Sequence, residues 1–177
     1  AVALKAPFAA GYGITKTVTP IEAAVKGVCT RGDILRVHLY IDAQADMTCV
    51  VGNDRVPAGA TILGSGLGRD SEAATTGEKP QDGVWPAFVE RGFEGYRAYF
   101  DYLPKGKLSI EYTIRLNNAG TFGVPPTRVE ALYAPSTYGV LPNANVVVQM
   151  PAAAKQPPKT MPKPPAMTEI KDRFIAL

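Results

Sequence analysis

Few residues in this 177-residue chain are of a type that does chemistry: one histidine, two cysteines and sixteen dispersed carboxylates. Their spacing assembles no catalytic centre. His38 is the single base on offer to a serine or cysteine nucleophile, and such a relay needs that base in a cleft. Residues 34–42 alternate strictly, Leu35, Val37, Leu39 and Ile41 against Arg36, His38, Tyr40 and Asp42, which puts the imidazole on a strand's outer face. One histidine with Cys29 and Cys49, twenty positions apart, does not have zinc-ligand spacing. Gly64, Gly66 and Gly68 lack the lysine and the following helix of a phosphate-binding loop and read as a flexible turn. Arg31–Gly32–Asp33 matches a cell-adhesion tripeptide, but it stands where ordinary Gly–Asp turn chemistry feeds a strand. Trp85, between Val84 and Pro86, reads as a plug for a sheet edge. The expectation is a non-enzymatic chain with no catalytic residue, metal or cofactor.

The elements around these residues are strands. The clearest begins after a turn at Pro104 and Gly106: Leu108, Ile110, Tyr112, Ile114 and Leu116 fall on one face, Ser109, Glu111, Thr113 and Arg115 on the other. Period two over that length predicts a half-buried antiparallel strand with one wet face. Asn117, Asn118 and Gly120 turn the chain, and Pro125–Pro126 leads into a last strand through Val129, Ala131 and Tyr133. Earlier, residues 14–18 and 23–28 read as opening strands, and residues 44–46 as a three-residue loop folding 34–42 back on 47–51 as a hairpin. Pro57–Gly59 is a turn before a short strand at 61–63. Residues 93–102 resume strand character, with Tyr96, Ala98, Phe100 and Tyr102 on one side. The stretch 64–86 is too long for an ordinary connection and is a candidate functional loop. Many short strands without a long helical period predict an all-β, antiparallel sandwich.

Composition divides the chain unevenly. Hydrophobic residues make up 46%, enough for a globular core, and no apolar run approaches the length that spans a bilayer. The formal net charge is +3, and the five basic and two acidic residues beyond position 150 account for all of it. The body is therefore near neutral, against a nucleic-acid footprint. Six of the sixteen prolines lie at 151–165, predicting an extended, solvated tail. Residues 168–177 then place Ile170, Phe174 and Leu177 on one helical stripe, read either as a docking peptide or as a frayed terminus.

Five phrases in register resemble the C-terminal domain of bacterial alpha-2-macroglobulins: APFAAGYGITKTVTP at 6–20, RGD at 31–33, VPAGATILGSGLGRDS at 56–71, FEGYRAYFDYLPKG at 93–106 and GTFGVPPTRVEALYAP at 120–135. The resemblance runs over about residues 7–149. It departs at Asp54–Arg55–Val56–Pro57, where the family tends to carry Asp-Pro before the proline–alanine–glycine turn. It implies a macroglobulin or fibronectin-III-like sandwich at 14–149, with 1–13 as a flexible lead-in from a preceding domain and 150–177 as the tail. The implied function is a non-catalytic domain of a periplasmic protease trap, packing beside and shielding a thioester-carrying domain. The opening at Ala1 without a signal peptide reads as an excised piece or mature fragment, any targeting signal lying outside it. The resemblance implies a periplasmic location, anchored at the inner membrane through a lipidated N-terminus outside this sequence.

The family's thioester is built from a cysteine followed shortly by Glu and Gln. Cys29 precedes Thr–Arg–Gly and Cys49 precedes Val–Val–Gly, so neither is that centre. An even cysteine count in a periplasmic chain points instead to a Cys29–Cys49 disulfide, against two separate buried thiols. The family's thioester-shielding tyrosine maps to Tyr133, with Tyr138 as the alternate, against the plainer reading of an outward strand aromatic. Pro135 is expected to end the strand just after Tyr133. Implied partners are the other domains of the same chain, target proteases, and a cell-wall-synthesising penicillin-binding protein. A stand-alone Ig-like adhesion module is the competing reading.

Overall fold

The computed structural model describes residues 6–64 and 84–151, and every regular element among them is a β-strand. The strands are β1 (Phe8–Ala10), β2 (Tyr12–Glu22), β3 (Cys29–Thr30), β4 (Ile34–Ala43), β5 (Met47–Arg55), β6 (Ala60–Ile62), β7 (Phe88–Arg91), β8 (Gly95–Leu103), β9 (Gly106–Leu116), β10 (Gly120–Phe122), β11 (Thr127–Ala131), β12 (Ala134–Leu141) and β13 (Val146–Gln149). One face of the sandwich is a six-stranded sheet, β1-β12-β11-β5-β8-β7; the other is four-stranded, β2-β4-β9-β6. A small third sheet, β10-β13-β3, contains the one parallel pair of strands among the described residues, β13 on β3.

The alternation of β4 and β9 does what it predicts. Val37 pairs with Tyr112 and Leu39 with Ile110, and all four side chains are buried. Facing them from the other sheet are Val50 of β5, Ala98 and Phe100 of β8 and Val129 of β11. Gly52 lies against Ile41 and Ile110, where a Cβ would stand 3.7 Å from Ile110 Cδ1. The sheets therefore close to contact there, and Tyr96 of β8 stacks on Tyr112 of β9 at 4.5 Å.

Several expectations are corrected. Strands β4 and β5 are not a hairpin: they lie in different sheets, and residues 44–46 carry the chain across the sandwich. A three-residue loop permits either path; pairing decides it, because β4 takes β2 and β9 as neighbours while β5 takes β11 and β8. Within the expected 1–13 lead-in, residues 8–12 belong to the sandwich, since β1 pairs with β12 and Tyr12 is buried in the core, while residues 1–5 lie outside the described residues. Residues 23–28 form a turn closed by Val28 N–H on the Val25 carbonyl, not a strand. β11 is not the last strand, because β12 and β13 follow it.

The wet face of β9 is only partly wet, with Ser109 and Thr113 buried, and Arg36 of β4 donating to Thr113 Oγ1 at 3.1 Å. Tyr102 leaves the inward row of β8 and is exposed, Leu103 filling the core in its place. Trp85 plugs nothing: it is 71% exposed. The glycine run beyond Gly64, most of the 64–86 loop and the tail beyond residue 151, with the 168–177 stripe, lie outside the described residues. No helix among the described residues is long and apolar enough to cross a membrane.

Candidate functional site

Tyr133 stands at the tip of the β11–β12 hairpin, 84% exposed, beside Leu132 at 53%. The strand does not end at Pro135, as its chemistry suggested. Pro135 lies inside β12, in the stretch where the β11–β12 register shifts between Glu130 and Ala131. A bulge accommodates a residue that cannot donate to the ladder. The tip is pinned from behind, since Leu132 N–H donates to the Cys49 carbonyl at 2.9 Å and Ala131 pairs with Val50. Cys49 itself has φ +53°, in the left-handed region that non-glycine residues rarely occupy.

Tyr138, the alternate, is in a different situation. Its ring stacks on Phe8 of β1 at 5.4 Å, and the Arg128 guanidinium lies over it at 4.7 Å. Arg128 is in turn held by Glu130 at 2.6 Å. Tyr138 is thus a half-buried packing residue joining β1, β11 and β12, whereas Tyr133 has a free face. The same end of the sandwich carries Asp46, which accepts from Lys105 N–H at 2.7 Å. That backbone hydrogen bond, then the Tyr102 hydroxyl, hold the Asp46 carboxyl below its usual range, and Asp46 raises Tyr102 in return. A fixed polar rim therefore accompanies the apolar tip.

The disulfide is corrected: Cys29 and Cys49 are both free thiols, on β3 and β5 of different sheets. An even cysteine count does not bring the two together, and the 34–51 hairpin that would have put them within reach does not form. Burial, and then Asp33, push the Cys29 thiol up, which suppresses its thiolate. His38 lies on the outer face as expected, its Nδ1 3.0 Å from Glu111 Oε1, with Arg36 on the same carboxylate at 3.8 Å. No group of three or more metal-ligating side chains exists among the described residues. Asp33 of the Arg–Gly–Asp turn is buried and accepts from Thr30 N–H at 2.7 Å and Ala24 N–H at 2.9 Å, so it is committed inward.

Asp54, met in the sequence only as part of the departure at 54–57, has a role that the sequence reading does not find. It is fully buried between the sheets and accepts from Lys16 Nζ at 2.8 Å, Tyr112 Oη at 2.6 Å and Thr127 Oγ1 at 2.5 Å. Four strands, β2, β5, β9 and β11, meet on that one carboxylate. The sequence signal was faint: Asp54 falls on the inward parity of β5, where a carboxylate needs a partner, and Lys16 shares the inward parity of β2 with Tyr12 and Ile14.

The family described as Bacterial Alpha-2-macroglobulin MG10 domain matches residues 11–136, an interval that includes Tyr133 and stops short of Tyr138. No curated protein matches. Among solved structures, a Salmonella alpha-2-macroglobulin tyrosine-to-glycine mutant is similar with TM-score 0.65 and 17% identity, over 81% of this chain and 9% of that one. The native conformation of Escherichia coli alpha-2-macroglobulin is similar with TM-score 0.65 and 17% identity, over 83% and 10%. The Escherichia coli protein activated by porcine elastase gives TM-score 0.69 and 16% identity, over 83% and 14%. The chain thus spans about a tenth of the length of the first two.

Proposed function

Because this chain belongs to the bacterial alpha-2-macroglobulin family, matching its MG10 domain, we propose that it is the non-catalytic C-terminal domain of a periplasmic protease trap, and that the β11–β12 tip shields a thioester on a neighbouring domain. The observation that carries the reading is Tyr133, a large ring 84% exposed on a tip whose backbone is tied to β5. A ring held out rigidly can be driven into a partner surface without first losing much freedom. Excluding water by such a ring protects an ester whose competitor is the solvent itself. Relatives supply the context. The Escherichia coli protein has been solved after activation by trypsin and by elastase, and the Salmonella protein after reaction with methylamine, an amine nucleophile.

The adhesion reading loses its motif, since Asp33 is buried. No observation on this chain supports a penicillin-binding protein as partner, and the proposal does not include one. The test is Tyr133→Ala in a thioester-bearing parent chain, following free-thiol release in water and in methylamine. Faster release than in the parent is expected; release at the parental rate rejects the shield and leaves the domain a structural neighbour.

A further inference from the structure

A cavity of about 520 Å³ opens between the sheets at the end remote from Tyr133. The tip leans on Cys49 near the start of β5, whereas the cavity is walled by Arg55, Val56 and Pro57 at its end. The six residue steps of β5 from Cys49 to Arg55 separate the two regions by roughly 20 Å at strand rise. Most of the wall is apolar, with Leu35, Val37, Ile114 and Val146 among its members, and Lys16 reaches it from β2. Size and lining are those of small-molecule sites, which combine an apolar surface with a few fixed polar groups.

The charge pattern defines the ligand class. Among the described residues no carboxylate lines the cavity, and the charged residues that do are Lys16 and Arg55. Lys16 is paired with Asp54 just behind the wall, and Arg55 with Glu94. Both Asp54 oxygens already accept hydrogen bonds, three in all, and the carboxylate cancels the ammonium charge. The ammonium has three donors and the pair with Asp54 uses one. Two N–H donors remain, on a group whose charge is already cancelled. An ionised ligand would lose its hydration there and find no unpaired counter-ion.

We propose that this cavity binds one uncharged amphiphile, its apolar body between the sheets and a hydroxyl or carbonyl oxygen accepting from Lys16 Nζ. The site is independent of the Tyr133 reading and stands or falls without it.

The experiment is titration of the 177-residue chain with the uncharged fluorophore N-phenyl-1-naphthylamine, then displacement by 1-decanol or by decanoate at pH 8. Saturable binding of one probe per chain is expected, with decanoate about tenfold weaker than decanol as competitor. Val18→Trp, on the exposed part of β2 that lines the cavity, should raise the probe's Kd about tenfold or more without lowering the unfolding temperature. Val146→Trp is the second filling variant should the first misfold. Lys16 is not substituted, because removing it strands a buried carboxylate. Absence of saturable binding, decanoate competing as well as decanol, or unchanged affinity in a folded filling variant overturns the site. Exclusion of the probe in a longer chain carrying a preceding domain would also overturn it, assigning the cavity to a domain interface.

Discussion

Lys16 on β2 and Asp54 on β5 meet across the sandwich at 2.8 Å, and the carboxylate has no exposure to solvent. Tyr112 and Thr127 complete its hydrogen bonding from β9 and β11. A buried ion pair of this kind gives little net stability against an apolar alternative, yet breaking one side is expensive. Asp54→Asn should therefore destabilise the chain by about 3 kcal/mol, seen as a lower midpoint in urea at pH 7. A loss below about 1 kcal/mol would show that Lys16 simply swings to water.

The two tyrosines should separate cleanly. Tyr133→Ala removes an exposed ring and should change folding stability by no more than about 0.5 kcal/mol. Tyr138→Ala deletes the stack on Phe8 and the contact with Arg128, and should cost about 1–2 kcal/mol. Tyr138 is accordingly a poor surface control for Tyr133, and Leu132→Ala at the same tip is the better one. Equal stability losses for both tyrosines, measured by thermal or urea unfolding, would contradict the packing described.

Gly139 sets how closely the two sheets cross. A Cβ there would lie 2.2 Å from the Tyr12 carbonyl oxygen, a backbone atom that cannot step aside. Gly139→Ala should push β12 off β2 and lower stability by about 3 kcal/mol. Gly27→Ala is the comparison, since nothing lies within 4 Å of its Cβ and only the positive φ of 81° is strained. A Gly139 variant as stable as the Gly27 one would mean the crossing is not tight.

Alkaline pH should weaken the fold through Tyr112. Burial first, then the Asp54 charge and hydrogen bond, raise its hydroxyl well above the ordinary value of 10.0. The folded state keeps that proton where the unfolded state releases it, so stability is intact below about pH 10 and falls above it, by about 1.4 kcal/mol per pH unit for this group. Tyr112→Phe should flatten the decline between pH 10 and 11 while lowering stability at pH 7 by about 1–2 kcal/mol. An unchanged slope in the variant would place the alkaline loss elsewhere; Tyr12, also raised by burial, is the next group to replace.

Free thiols make a simple count. Denatured, unreduced chain should label two cysteines, and the folded chain should label Cys29 slowly because its thiol is half-buried and its ionisation suppressed. Denatured protein that labels none would restore the disulfide.

Much of the sandwich was legible because period two is a local signal. β4 and β9 announce which side chains face inward, and burial follows that alternation residue by residue on the inward face. Turns at Pro57–Gly59 and Gly106 were readable for the same reason: each depends on a few adjacent residues. The resemblance carried by the ordered phrases added the family, and the match over residues 11–136 agrees with it.

What the chain by itself determined, then, is the alternation, the turns and the family. Tertiary structure alone decided the rest. Whether residues 44–46 turn back or cross over depends on which distant strands offer the better edges, and both paths have the same local sequence. Pro135 ends a strand only where its missing N–H is needed; a bulge removes that need. Asp54 becomes a buried junction only once Lys16, Tyr112 and Thr127, 38, 58 and 73 positions away, converge on it. Tyr133 was named by its motif, but its exposure comes from a β5 backbone that holds the tip outward, and no local pattern encodes that.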